Sequence, residues 1–98
     1  MDLTTATQKV QEKLQAAAGS LDATVKFVLG NDGVVFLNGN TNEVSNEDQD
    51  AQCTVMMEMA DFHSMMDGDL NPMSAFMGGQ MKIEGDMSVA MKLSSIFG

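Results

Sequence analysis

The sequence contains no arginine, no tryptophan and no tyrosine, and it has only one cysteine among its 98 residues. Because Cys53 has no second cysteine to pair with, the fold cannot depend on an internal disulfide, and we expect a reducing compartment, the cytoplasm. No apolar run approaches the roughly 18 residues that a membrane-spanning helix needs. The first residues, Met1 to Thr5, lack the basic and apolar regions of a signal peptide, so we expect a soluble chain.

Positive charge is scarce as well. The sequence has 14 acidic residues and five lysines, which gives a formal net charge of −9. A surface of that sign repels phosphate backbones, so we expect no nucleic-acid partner. It also repels anionic bilayers, and any membrane contact is therefore expected to be transient. The length allows a single domain with one core, residues 1–98.

Residues that could carry out catalysis are few. His63 is the only histidine, and its neighbour Ser64 points elsewhere on a helix, so no nucleophile has a base beside it. The acidic segment Asn46 to Asp50 has the alternate spacing of a calcium loop, but Ala51 occupies the place of the required glycine. We therefore expect no catalytic residue, no metal and no cofactor, and the chain is not predicted to be an enzyme.

One metal hypothesis stays open as an alternative, a copper(I) site built from soft ligands. The candidate ligands lie within a short stretch: Cys53, Met56, Met57, Met59, His63, Met65 and Met66. Strand alternation places Met56 opposite Met57, so the spacing does not predict that these ligands converge. The types of side chain thus favour copper(I) binding, whereas their spacing does not predict a common site.

Methionine is abundant, with 11 residues. Its unbranched, polarizable side chain fills irregular space and adapts to varied apolar partners. Two interpretations follow, namely an ordinary core that uses methionine in place of leucine, or a cavity whose walls adapt to a flexible guest. Composition alone favours the ordinary core.

The hydrophobic pattern of the first half predicts one helix followed by strands. Ala6, Val10 and Leu14 recur at helical spacing, which predicts a helix over 5–18 that begins with a capping box of Thr5 and Gln8 and ends before Gly19. From residue 24 the period changes to two. The predicted strands are 24–29, 34–37, 43–45 and 51–59.

The second half predicts short helices, one strand and a final helix. A helix over 62–67 is expected after an N-cap at Asp61, and a second helix follows the Asn71-Pro72 pair and ends at Gly78. A strand over 80–84 and a helix over 87–97, capped by Asp86, complete the chain. This order is typical of an α+β fold in which helices cover one face of a mixed sheet. The last helix is apolar around much of its circumference, so it needs a further contact with a partner chain, a membrane or a ligand.

The segment from Gly68 to Met87, continuing to Ala90-Met91-Lys92-Leu93, resembles the C-terminal signature of sterol carrier protein type-two domains. The shared features are Asn-Pro, then Ala-Phe and a glycine, a strand flanked by lysine, a further glycine, and a helix containing Ala-Met-Lys-Leu. The resemblance implies a mixed, mostly antiparallel five-stranded sheet, with helices covering one face and an apolar tunnel between them.

The resemblance also implies a function, the non-catalytic binding and intracellular transfer of a lipid that is a fatty acid, a fatty acyl compound or sterol-like. The chain ends without a Ser-Lys-Leu peroxisomal signal, so we expect a stand-alone cytoplasmic carrier, a monomer or weak dimer. The alternative is a protein-interaction or dimerisation module without lipid. The residues expected near the lipid are Phe27, Phe36, Val55, Met57, Phe62, Met66, Leu70, Phe76, Met77, Met81, Ile83, Met87, Ala90 and Met91.

Overall fold

The computed structural model describes residues 2–17 and 21–97, and these residues form four α-helices and five β-strands. In chain order the elements are α1 (Leu3–Ala16), β1 (Thr24–Leu29), β2 (Val34–Asn38), β3 (Glu43–Ser45), β4 (Cys53–Met57), α2 (Met59–Met66), α3 (Pro72–Met77), β5 (Met81–Gly85) and α4 (Met87–Phe97).

The five strands form one mixed sheet in the order β3-β2-β1-β4-β5. β1 and β4 run parallel, with Phe27 beside Val55, and the other three neighbouring pairs are antiparallel. The α+β class and the mostly antiparallel sheet expected from the sequence are therefore confirmed.

The core lies between one face of this sheet and the helices. Along β1, Val25, Phe27 and Leu29 are buried on that face, and they pack in one cluster with Ala6 and Val10 of α1. α1 contacts β2 and β3, whereas α3 and α4 contact β5 at the other edge. The helical layer thus consists of two groups, one over each half of the sheet.

The opposite face of the sheet is crossed by the chain between β3 and β4. Lys26 lies on that face, and its ammonium group pairs with Asp48 of the crossing segment at 2.8 Å. Phe36 is the cross-strand neighbour of Lys26 and therefore lies on the same face, where Glu47 and Gln49 lie beside it. The chain must cross the sheet between β3 and β4 because two strands, β2 and β1, lie between them.

Two predicted helix starts are wrong. α1 begins at Leu3 because the Asp2 carboxylate accepts a hydrogen bond from the Thr5 amide at 2.8 Å, so Asp2 and not Thr5 is the N-cap. α2 begins at Met59 rather than after Asp61. The partner strand β5 begins opposite Met57, which leaves nothing for β4 to pair with beyond that residue. The predicted end of the first helix, at Ala18 and Gly19, lies outside the described residues.

The starts of α3 and α4 agree with prediction. The Asn71 side chain accepts hydrogen bonds from the Met73 and Ser74 amides at 2.9 and 3.3 Å. The Asp86 carboxylate accepts from the Ser88 amide at 2.9 Å and from the Ser88 hydroxyl at 2.6 Å. Both caps fix the direction in which a helix leaves the sheet edge, and these two helices enclose the site described below.

Gly85 makes the passage from β5 to α4 sterically feasible. Its φ of 99° lies in the region that favours glycine, and a Cβ there would collide with the carbonyl oxygen of Gln52. The next amide, of Asp86, donates to that same carbonyl at 2.8 Å. This close approach turns α4 back over the sheet.

Candidate functional site

An apolar cavity of about 100 Å³ lies between the sheet and helices α3 and α4. Its floor comes from β1, β4 and β5, and its walls come from α2, α3 and α4. The lining residues are Phe27, Val55, Met65, Pro72, Met73, Phe76, Met81, Ile83, Met87, Ala90, Met91, Leu93 and Ser94.

Strand alternation and helical spacing bring these side chains together. Met81 and Ile83 are two residues apart in β5 and therefore share the face that carries Val55. On α4, Met87 and Ala90 are three residues apart and lie on one face of the helix, which also carries Met91 and Ser94. The short helix α3 adds an apolar wall because its Asn71 cap and Pro72 start it at the edge of the cavity.

The mouth of the cavity is apolar and partly exposed. Met91 and Met73 line the cavity although they are 68 % and 51 % exposed, so the cavity opens to solvent between α3 and α4. Phe76 and Met87 are also exposed at this rim. Exposed apolar groups gathered around a concavity mark a binding site more often than they mark ordinary surface.

The lining of the cavity is almost entirely apolar. Among the residues that the structure describes, Ser94 contributes the only polar side chain to the lining. The core contains the thiol of Cys53, and burial, together with the charge of Asp86, raises the pKa of that thiol. Cys53 therefore stays protonated at neutral pH, which disfavours any role as a nucleophile.

Met56 and His63 do not join the other soft ligands considered for copper(I), which are buried in the core cluster. Cys53 and Met57 face the helices, whereas Met56 faces the opposite side of the sheet. His63 pairs instead with Asp67, one turn further along, at 2.9 Å. Within the ranges 2–17 and 21–97, no group of three or more His, Cys, Asp or Glu side chains is placed to hold a metal ion.

The structure gathers eight of the fourteen predicted site residues around the cavity, namely Phe27, Val55, Phe76, Met81, Ile83, Met87, Ala90 and Met91. Met57 and Met66 are buried in the core but do not line the cavity, and Leu70 is partly buried against that core. Phe62 is fully buried with its ring edge-on to Phe27, the two centroids lying 5.5 Å apart. Met77 is 80 % exposed and does not line the cavity.

Phe36 requires a correction. It lies on the face of the sheet away from the helices, beside Lys26, so it cannot contact a ligand in this cavity. Val35, Phe36 and Leu37 are consecutive apolar residues of β2, and all three are buried. The sequence therefore has no polar–apolar alternation here that could indicate which face of the sheet Phe36 occupies.

Five lining residues were missed by the sequence reasoning: Met65, Pro72, Met73, Leu93 and Ser94. Ser94 could have been found, because it lies seven residues after Met87 on the apolar face of α4. Met65 could have been found from a correct start of α2, since it follows Phe62 by three residues. Pro72 and Met73 belong to a six-residue helix, which is too short for periodicity to show its inner face.

The chain thus forms a small domain in which helices cover one face of a sheet and an apolar, open-mouthed cavity lies at one edge. This chain belongs to the SCP-2 sterol transfer family, whose family model matches residues 3–98. The cavity occupies the place where the resemblance implied a tunnel. None of the helices in the described part of the chain is both long enough and apolar enough to cross a membrane.

Individual relatives agree with this family assignment. Sterol carrier protein 2 of Homo sapiens is 44 % identical over 59 residues, which is 60 % of this chain and 11 % of that protein. Hydroxysteroid dehydrogenase-like protein 2 of Xenopus tropicalis is 44 % identical over 48 residues, 49 % of this chain and 12 % of that protein. The chain thus corresponds to a small part of the curated relatives that it matches.

The fold is shared with solved structures. The solution structure of sterol carrier protein 2 from Aedes aegypti, in complex with the C16 fatty acid palmitate, aligns with a TM-score of 0.79 at 17 % identity. That alignment covers 100 % of this chain and 97 % of the other.

Proposed function

We propose that this domain binds one lipid in the cavity beneath α3 and α4 and transfers it between membranes without altering it chemically. The observation that carries the proposal is the lining, in which twelve apolar residues and one serine surround a cavity that opens to solvent. The palmitate bound by the Aedes aegypti protein of the same fold supports a fatty acyl guest, and the description of the matching family supports a sterol-like one.

The energetics suit a carrier. Burying a sixteen-carbon chain yields roughly 10 kcal/mol gross at about 0.8 kcal/mol per methylene, before ordering costs. The same chain is equally dry in a bilayer, so exchange between domain and membrane is nearly balanced. A carrier needs this balance because it must release what it binds.

The cavity must expand to hold a whole lipid. About 100 Å³ is small beside the roughly 300–1,000 Å³ of typical ligand pockets. We infer that α3 and α4 move outward as the lipid enters, since they form the exposed side of the cavity. Methionines line this side, and their flexible side chains adapt to guests of different shape.

The absence of chemistry is also part of the proposal. Among the described residues that line the cavity, none is a base that could activate the Ser94 hydroxyl. The buried thiol of Cys53 stays protonated. A free thiol is compatible with a reducing cytoplasm, which we retain as the proposed location.

Native mass spectrometry of the purified protein, followed by solvent extraction, tests this function. We expect an adduct of lipid mass at about one per chain. The variant Ala90→Phe should lose the adduct, because its phenyl ring would fill the cavity. A cavity of about 150 Å³ is large enough to hold benzene, so a phenyl ring occupies most of a space of about 100 Å³. Ala60→Phe is the matched control, since Ala60 is exposed on α2 and should retain the lipid.

A bare protein that takes up neither a fluorescent fatty acid nor a fluorescent sterol would contradict lipid binding. Light scattering then tests the alternative, a dimerisation module in which the exposed methionine rim contacts a second copy. A tight dimer without lipid would favour that alternative over the carrier.

A further inference from the structure

The lining of the cavity has a hydroxyl group but no charge. Ser94 is the single lining residue with a polar side chain among those that the structure describes. A hydroxyl both donates and accepts hydrogen bonds, so Ser94 can satisfy an alcohol, an ester or a ketone. It cannot neutralise a carboxylate.

Three of the five lysines lie near this half of the molecule and are directed elsewhere. Lys82 alternates with the lining residues of β5, and its neighbour Met56 places it on the opposite face of the sheet. Lys26 lies on that same opposite face. Lys92 is on α4, but its ammonium group pairs with Asp22 at 2.8 Å.

The remaining cationic side chains lie on other elements. Lys9 and Lys13 belong to α1, which packs over β2 and β3 and contacts α4, and neither lysine lines the cavity. His63 on α2 pairs with Asp67 and does not line the cavity. The sequence contains no arginine. Every side chain that could pair with a lipid anion is therefore accounted for outside the cavity.

The helix N-termini at the cavity are already occupied. The amides that begin α4 beside Met87 bind the Asp86 carboxylate, and those that begin α3 bind the Asn71 side chain. Asp86 also places a negative charge next to the lining residue Met87. A lipid carboxylate at this mouth would meet an anion instead of free amides.

We propose that the cavity selects lipids whose polar end is uncharged, such as an alcohol, an ester or a ketone, over fatty-acid anions. This inference rests on the proposed lipid-binding function and narrows its ligand class. The Ser94 hydroxyl meets the neutral end, and the apolar walls hold the hydrocarbon. A carboxylate stays at the mouth without a counter-ion, in the field of a protein with a net charge of −9.

Binding of dodecanol and dodecanoate to the full chain tests this selection. The two molecules share one hydrocarbon chain, so their difference in affinity reports the polar end. At about pH 8, where carboxylates are ionised, we expect dodecanol to bind at least about tenfold more tightly than dodecanoate. Equal affinities would overturn the selection and leave the lipid-binding function intact, whereas binding of neither would overturn both.

A variant with a new cation at the mouth provides a second measurement. Met91 lines the cavity and is mostly exposed, so Met91→Lys should fold normally and place an ammonium group where the carboxylate emerges. We expect the affinity for dodecanoate relative to that for dodecanol to rise several-fold in Met91→Lys, compared with the same ratio in the wild type. Met91→Gln is the uncharged control. An equal gain for both lipids, or the same gain from Met91→Gln, would overturn the electrostatic explanation.

Discussion

Two acidic residues and one asparagine determine where three of the four described helices begin in this protein. Asp2 caps α1 and Asp86 caps α4, each through a carboxylate that accepts backbone amide hydrogen bonds, while Asn71 does the same for α3. Hydrogen bonds from Ser88 lower the pKa of Asp86, and hydrogen bonds from Thr5 lower the pKa of Asp2. Part of the large negative charge of the chain therefore stabilises its secondary structure.

The cap at Asp86 gives a stability contribution that depends on pH. Because its pKa is lower in the folded protein than the usual 3.8, the ionised form favours folding at neutral pH. This contribution is lost as the pH falls below that value. We expect Asp86→Ala to have a lower Tm than the wild type at neutral pH, and the difference in Tm to shrink in acid.

Asp50→Ala is the matched control for this measurement, since it removes an equal charge from the exposed segment before β4 and caps no helix. Thermal unfolding followed by circular dichroism gives the Tm of each protein across the pH range. A difference for Asp86→Ala that does not vary with pH would contradict the role of the ionised cap.

At the scale of secondary-structure elements, the helical layer is closed at one half of the sheet and open at the other. α1 buries Ala6, Val10 and Leu14 in the core cluster against the sheet. α2 fills the middle, where Phe62 packs edge-on against Phe27. The cavity lies beside this aromatic pair, because Phe27 lines it together with Met65 of α2 and residues of α3 and α4. The fully buried Phe62 thus belongs to the core, while its partner Phe27 contacts both the core and the cavity.

Truncation of Phe62 should therefore affect stability far more than truncation of Phe76. Phe62→Ala removes a fully buried ring and should cost about 3–5 kcal/mol in the free energy of unfolding. Phe76→Ala is the matched control and should cost clearly less, because Phe76 is 40 % exposed at the rim. Urea denaturation measures both values. Similar losses for the two variants would show that the rim is as tightly packed as the core.

At the scale of the whole molecule, the net charge and the apolar rim of the cavity have opposite effects on contact between the protein and a membrane. The exposed methionine rim around the cavity favours contact with a bilayer, whereas the net charge of −9 opposes approach to an anionic one. Zwitterionic membranes lack this repulsion. The lipid composition of the membrane should therefore control the rate of transfer.

Transfer of a fluorescent lipid from the loaded protein to vesicles checks this expectation. We expect slower transfer to anionic vesicles than to zwitterionic vesicles with the same acyl chains. The difference should nearly disappear at high salt, because the Debye length falls from about 10 Å at 0.1 M to about 3 Å at 1 M. Faster transfer to the anionic vesicles would indicate a local basic patch that outweighs the net charge.

Much of the fold could be predicted because its signals are local. Alternation in β1 and β4, helical spacing in α1, and the caps at Asn71 and Asp86 involve residues within a few positions of one another. The two wrong helix starts show where local signals compete. Thr5 and Asp2 are both good caps, and the end of β4 depends on where β5 begins to pair with it.

The cavity, by contrast, depends on distances between elements that are remote in sequence. Strand alternation identifies Phe27 and Val55 as inward residues, but an inward side chain packs equally well against another side chain or beside open space. Phe62 and Phe76 look alike in sequence, yet Phe62 is fully buried with its ring against Phe27, whereas Phe76 is 40 % exposed at the rim of the cavity. Phe36 is hidden on the far face because the segment between β3 and β4 crosses it.

The sequence alone therefore determined the α+β class, the order of the elements, the scarcity of cations and the family resemblance. Only the tertiary structure decided which apolar residues enclose a cavity, that its mouth lies between α3 and α4, and that no lysine lines it. The physical reason is that composition and periodicity describe neighbours along the chain. A cavity is the space left where distant elements fail to meet.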